Sequence, residues 1–425
     1  MKKIIILSFV LILCVSCAKE KNLKLDQLAE QYVKLVLEVG LYDNNFVDAY
    51  YGPAEWKKIV KEKQFPFKRL KSNTSKILTH LNEIKYPKKE IQSQRRLSFL
   101  KKQVIALGAR IEFLNGAKFT FDEEAKLLFD VNPPHYTAEH FDSLLSELEL
   151  VLPGKGNLQQ RFEKYRHKFI IPKDKLSAVF AAAINEGRKR TKKKIALPAN
   201  ENFVVEYVSN KSWGAYNWYK GNNFSVIQFN TDITAYIDRA VDLACHEGYP
   251  GHHVFNSLLE GKLYKEKGWV EYSVYPLFSP QSFIAEGTAN YGIEIAFNKE
   301  QRLSFEKKVL FPLAGIDSSL ADNYYKILTL VAKLNYAGNE AARNYIDGNF
   351  TENQAINWMI KYLLMTPERA AKRLEFIKIY RSYVVNYNLG KDLIAKYIKK
   401  KTKNGESEWK VFEELLSAPI VPSEL

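Results

Sequence analysis

Along most of the chain, apolar residues recur at three- and four-residue intervals, the spacing of one helix face. Leu25 to Gly40 (LDQLAEQYVKLVLEVG) has this pattern and ends on a glycine that suits a helix C-cap. Pro53 falls early in the next helical stretch, YYGPAEWKKIVKE. Lys89 to Asn115 reads as one long amphipathic helix. FDEEAKLLFDV and TAEHFDSLLSELELVL predict two more, each with acid in its first turn, where the helix dipole favours it. LPGKGNLQQRFEKYRHKF reads as a loop and then a helix. PKDKLSAVFAAAINEGRKRT opens at Pro172 and closes in basic residues. The period then changes. NFVVEYVSN and NFSVIQFNT (Asn223 to Thr231) alternate apolar and polar residues and predict strands, with Gly221, Asn222 and Asn223 as a hairpin turn. Helical spacing resumes and runs through Leu416. The pattern predicts a mainly α-helical (α+β) fold, with residues 17–425 as one α-rich domain and a small β element ahead of a His-rich segment.

The first residues read differently. Lys2 and Lys3 precede an almost wholly apolar run, Ile4 to Leu13, and CVSC gives way at once to polar AKEKN. The run is short for a bilayer span and suits a signal-peptide core. Ser16 before Cys17 resembles a bacterial lipoprotein cleavage box, with Cys14 where Leu is usual. The box implies a signal peptide over residues 1–16, a lipidated Cys17, and an exported protein tethered to the bacterial cell envelope. Cys245 is then the one cysteine left, so no internal disulfide is expected. Apolar residues make up 46% of the chain, enough for a sizeable core. The formal charge of +15 is scattered, with short runs at Lys189 to Lys194 and Lys399 to Lys403. No stacking aromatics accompany these runs, so they read as solvated faces and nucleic acid is not an expected partner. Oligomeric state leaves no mark on the sequence.

Candidate chemistry gathers at CHEGYPGHHVF, Cys245 to Phe255. Of the seven histidines, three lie between His246 and His253. A histidine pair with an adjacent glutamate is what catalytic zinc needs: two imidazole ligands and a general base. In H-E-x-x-H the two ligands lie four apart on one helix face. Here His246 and His252 lie six apart, roughly 120° off that face. A regular helix cannot bring both to one ion. Pro250 and Gly251 interrupt it, and can loop out the extra residues and return His252 to the metal. With φ fixed at Pro250, the irregular turn falls on Gly251, with positive φ as the expectation. His253 points elsewhere, toward substrate or an outer shell. YIDRAVDLACHE predicts a helix carrying His246 and Glu247. A third ligand is required, and FIAEGTANYGIEIAF offers Glu286 in an apolar surround. Glu294 is a second candidate, about 80° off the Glu286 face.

Together, H-E-x-x-P-G-H-H and E-G-x-A-x-Y-x-x-E resemble the bacterial family known as domain of unknown function 885. That family is similar to zincin metallopeptidases of the gluzincin kind, with a helix-rich fold like the neurolysin-like and carboxypeptidase Taq-like enzymes. The resemblance implies a deep cleft, a small sheet beside the active-site helix, one Zn²⁺ on His246, His252 and Glu286, and Glu247 as base. YYGP near the start and FEELLSAPIVPSEL at the end resemble further family elements. In RSYVVNYNLG, Tyr387 and Gly390 match a C-terminal element of the family, whereas its Pro-Gly-Gln does not appear. Thr288 stands where the family has Trp.

The function implied is zinc-dependent hydrolysis of peptide bonds at the cell envelope. The metal lowers the pKa of a bound water and Glu247 takes its proton. A developing oxyanion needs a further donor. Tyr387 and His253 are the candidates, ahead of Tyr291 and Tyr249. The strand Asn223 to Thr231 is placed to pair with an extended peptide or small protein. Two alternatives stand beside this reading: hydrolysis of another amide such as a cell-wall peptide, and a non-catalytic envelope lipoprotein that binds peptide or metal. An intact Glu247 argues against the latter.

Overall fold

The computed structural model describes residues 2–61, 65–211 and 213–425, the side chains of residues 2–19 and 61 excepted. The leader side chains and the lipidation of Cys17 therefore lie outside the described residues. Among the described residues the molecule is mainly helical, with two small sheets. The first helix runs Lys2–Val39 and ends just before Gly40. Its buried face, including Leu28, Tyr32, Val36 and Val39, packs into the largest hydrophobic cluster. Helices Ile91–Leu114, Phe121–Phe129, Ala138–Glu149, Leu158–Arg166 and Leu176–Lys192 form where helical spacing predicts them. Phe121–Phe129 starts at a capping box: the Thr120 hydroxyl accepts from Glu123 N–H and the Glu123 carboxylate accepts from Thr120 N–H. Helix Phe67–Glu83 goes unread in the sequence, although Leu70, Thr74, Ile77 and Leu81 mark a buried stripe at helical spacing. Among the described residues, no helix is long and apolar enough to cross a membrane.

Two sheets flank the centre. Short β1 (Val47–Tyr50) pairs antiparallel with β5 (Val274–Pro276). Strands of four and three residues carry too little alternation to be read from sequence. The second sheet has β2 (Asn202–Val208), β3 (Ala215–Tyr219) and β4 (Phe224–Asn230), in the order β2-β4-β3. β4 runs parallel to β2 and antiparallel to β3. The turn joining β3 to β4 contains Gly221, Asn222 and Asn223, all at positive φ, as the hairpin reading expects. One face of β4, Ile227 and Phe229, packs on Phe180 of helix Leu176–Lys192. The expectation that Asn223 to Thr231 pairs with a peptide is corrected here: β4 is the central strand, and both its edges are already bonded. The edge strands of this sheet are β2 and β3.

Helix Pro280–Ala296 crosses helix Val385–Thr402 at Gly287 and Gly390. A Cβ on Gly287 would lie 2.8 Å from the Gly390 carbonyl carbon, and one on Gly390 would lie 3.0 Å from Gly287 Cα. Glycine at both positions lets the backbones nearly touch. That contact sets Glu286, one residue before the crossing, against Tyr383 and Tyr387.

Candidate metal centre

Helix Asp238–Leu243 leads directly into a π-helical turn, Ala244–Gly248, which carries His246 and Glu247. The wider turn holds an extra residue, a distortion often found at functional sites. Tyr249 N–H donates to Ala244 O at 3.2 Å, and Gly251 N–H to Cys245 O at 2.9 Å. The chain doubles back at Pro250 and Gly251, and a new helix begins at His252 and runs to Leu259. This is the looping-out that six-residue spacing demands. The role of Gly251 differs from the expectation. Its φ is −78°, not positive. A Cβ there would fall 1.8 Å from His246 O and 2.4 Å from Cys245 O. Glycine is required by close approach of backbone, not by handedness.

The result brings His246, His252 and Glu286 together. His246 Nε2 and His252 Nε2 are 3.2 Å apart. Glu286 Oε2 is 3.3 Å from His246 Nε2, and Glu286 Oε1 is 3.7 Å from His252 Nε2. Ligands at about 2.0–2.2 Å from a tetrahedral zinc stand about 3.3–3.5 Å from one another. Glu286 Oε1 accepts a hydrogen bond from the Tyr383 hydroxyl at 2.8 Å, while Oε2, though buried, accepts none among the described residues. Two imidazoles and a carboxylate with a free buried lone pair are the donor set zinc takes.

Electrostatics follow the geometry. Burial pushes the Glu247 carboxyl up, against the pull of His246 and His252. Burial also opposes charge on Glu286, but the two histidines outweigh it and hold Glu286 well below the carboxylate range. Burial would lower His252, yet Glu286 and Glu247 raise it to about 9. Asp48, on β1, is pushed by burial to about 6, partly offset by a hydrogen bond from the Tyr216 hydroxyl. Asn217 Nδ2 on β3 donates to Glu247 O at 2.7 Å and pins the turn that carries His246 to the sheet. Asn290 Nδ2 donates to Glu286 O at 3.0 Å.

These groups open onto a cleft of about 800 Å³, within the range of small-molecule sites. Its lining includes Asp48, Tyr216, His246, Glu247, His252 and Glu286. Tyr275, Tyr383 and Tyr387 line it as well. The Tyr387 hydroxyl makes no hydrogen bond among the described residues, so its donor is free. The other tyrosines considered are engaged elsewhere: Tyr249 donates to Glu201, and Tyr291 packs on Phe412. Glu294 lies off the site and pairs with Lys391 at 2.6 Å. Thr288 is buried and donates to Ile284 O at 2.7 Å.

His253 needs correction. It is 0% exposed and does not line the cleft. One residue along a helix turns the side chain about 100°, which carries it off the face that His252 presents to the cleft. There Nδ1 lies 2.9 Å from Ser225 Oγ and Nε2 lies 3.1 Å from Glu201 Oε2. It buttresses the ligand helix and is no oxyanion donor. Asp48, Tyr216, Tyr275 and Tyr383 were not foreseen. Asp48 and Tyr216 come from strands remote in sequence, with no local spacing to mark them, whereas Tyr383 stands four residues, about one helical turn, before Tyr387 in the same RSYVVNYNLG segment.

No protein-family model and no curated protein sequence matches the chain. The likeness to domain of unknown function 885 therefore rests on its motifs alone. Two solved structures match the chain in part. One, a proposed lipoprotein from Colwellia psychrerythraea, is 13% identical with a TM-score of 0.52, over 87% of this chain and 64% of that one. The other, a proposed lipoprotein of unknown function from Shewanella oneidensis, is 12% identical with a TM-score of 0.47, over 87% of this chain and 74% of that one. The chain thus spans less than two thirds of the Colwellia protein, and that likeness shows a shared fold.

Proposed function

We propose that this chain is a zinc-dependent peptidase of the bacterial cell envelope, with a zincin-like centre on His246, His252 and Glu286. The observation that carries the reading is the convergence of His246, His252 and Glu286, whose donor atoms lie 3.2–3.7 Å from one another, with Glu286 Oε2 buried and without a hydrogen bond. When bound, zinc supplies Lewis acidity and brings the pKa of a coordinated water to about 7. Glu247 is 5% exposed, adjacent to His246 and raised by burial, so its carboxylate is basic enough to take a proton from water and return it to the leaving amine. Tyr387 offers its free hydroxyl to the oxyanion. The free edge of β3 lines the cleft at Ala215, Tyr216 and Asn217, where an extended peptide can add as a strand.

The membrane part of the reading rests on the basic start, the apolar run and the CVSC box. The Colwellia protein of similar fold is itself described as a proposed lipoprotein. Cys17→Ser is expected to abolish lipid labelling; unchanged labelling overturns the tether. For the chemistry, metal analysis and a mixed-peptide digest compare wild type with Glu247→Gln. The amide keeps size but cannot accept a proton, so zinc stays and hydrolysis falls about 10²–10⁴-fold. Near wild-type cleavage by that variant removes Glu247 as base, and a wild type that binds no zinc removes the reading.

A further inference from the structure

Helix Pro367–Tyr380 forms one wall of the cleft and contributes Arg369, Lys372, Arg373 and Phe376 to it. Residues three and four apart share a helix face, so these cations repel one another. Elsewhere in the lining positive charge is neutralised. Arg166 lies 3.3 Å from Asp238, and Arg239 lies 2.9 Å from Asp242. Arg369 has a distant partner, Glu163 at 3.8 Å. Lys372 and Arg373 have no hydrogen bond or ion pair among the described residues.

Arg373 is only partly exposed, and burial pulls its pKa down. Its guanidinium lies 4.7 Å from the centre of the Phe376 ring. That ring is 6.5 Å from Tyr387, and Tyr387 is 5.8 Å from Tyr383, whose hydroxyl holds Glu286. A five-donor fork thus stands unfilled a few side chains from the metal centre. A partly desolvated charge without a counter-ion is costly, and a planar carboxylate matches the fork in both shape and sign. A phosphate dianion would be repelled more strongly by Asp48, Glu247 and Glu286 in the same cleft.

We infer that Arg373, flanked by Lys372, receives a carboxylate of the substrate, so that the cleft takes a peptide by its C-terminal end and releases a short C-terminal fragment. This rests on the peptidase reading. The carboxylate has two sources, the chain terminus or an acidic side chain near it. Three N-acetylated tetrapeptides separate them: tetra-alanine as free acid, the same as C-terminal amide, and the amide with Glu last. Binding is measured by calorimetry in the zinc-loaded Glu247→Gln protein, and hydrolysis in the wild type. The free acid is expected to bind about ten- to hundredfold tighter than the amide. Adding Arg373→Gln removes that preference, and Arg373→Lys keeps part of it as a point charge without the fork. Melting temperatures confirm that both variants fold. Equal binding of acid and amide, or a preference that survives Arg373→Gln, overturns the inference. A Glu-ended amide that matches the free acid overturns the C-terminal assignment. Preferential binding without hydrolysis would defeat the peptidase reading and leave the carboxylate site standing.

Discussion

His252 and His253 are neighbours in sequence and stand in opposite chemical worlds. His252 joins His246 and Glu286 at the wall of a cleft, where one buried carboxylate oxygen has no hydrogen bond. His253 joins Ser225 and Glu201, and that cluster is complete. Glu201 Oε1 lies 2.9 Å from Arg188 and 2.7 Å from Lys192, while Oε2 takes the Tyr249 hydroxyl and His253. A serine, a histidine and a glutamate in hydrogen-bond contact have the composition of a hydrolase triad. Ser225 and His253 are both 0% exposed, so no substrate reaches them. The two clusters are alike in residue type and differ in access and in unfilled lone pairs.

The sharpest way to break this contrast is to exchange the fates of the two histidines. His252→Ala removes one of the three proposed zinc ligands. Its zinc affinity is expected to fall by more than the about 10–100-fold that outer-shell partners cost, while the melting temperature stays near that of the metal-free wild type. His253→Ala is expected to do the reverse: zinc retained, but about 2–3 kcal/mol of stability lost, because Ser225 and Glu201 each lose a buried partner. Metal content and denaturant melts on both variants decide it. Loss of zinc from both would mean that the clusters are one functional unit.

How much of this was legible beforehand depends on the distance over which the signal acts. His246, Glu247 and His252 announce themselves by spacing within one turn, and Glu286 by its apolar helical surround. The presence of β4 is legible by alternation. Its place in the sheet is not, because that depends on the parallel partner β2. Asp48 and Tyr216 reach the cleft through β1 and β3, and no local period brings them there; Tyr383, one helical turn before Tyr387, is marked by that spacing. The faces of His252 and His253 are legible in part: the interruption at Pro250 and Gly251 is visible and His253 is expected to point away from His252, but its partners Ser225 and Glu201 are marked by no local spacing. Helix Phe67–Glu83 is a plain omission, since its apolar stripe is in the sequence.

A substitution at the hinge between the clusters comes next in size. Gly251→Val places a Cβ within 1.8 Å of His246 O, so the π-turn must open. The displacement falls on His246 and His252 together, and through the ligand helix it reaches His253. Zinc is expected to be lost, with a stability cost above about 3 kcal/mol. Gly251→Ala should behave the same way, because the clash is with the first carbon of any side chain. This differs from a positive-φ glycine, where Asn is tolerated best. Gly251→Asn restoring zinc binding where Gly251→Ala does not would bring back the handedness explanation.

The smallest effect isolates the sealed cluster by its charge. Glu201 is held down to about 2: burial opposes ionisation, but His253, Lys192, Tyr249 and Arg188 together outweigh it. An unfolded chain binds this proton near the ordinary glutamate value of about 4.3. Between those two values the unfolded state carries more protons than the folded one, so stability rises with pH across the window. The contribution of Glu201 is therefore fully present above about 4.3 and fades as pH falls toward about 2. Its size is on the order of 1–2 kcal/mol once solvent screening is allowed for. Unfolding free energies of wild type and Glu201→Gln, taken from pH 6 to pH 3, should converge as the pH falls. Their difference near neutrality also contains the packing cost of the amide, so the change of that difference with pH is the quantity to read. Parallel curves across the window would mean that Glu201 is not held ionised by its partners, and that the sealed cluster is merely packed, with no electrostatic hold on the helix that carries His252.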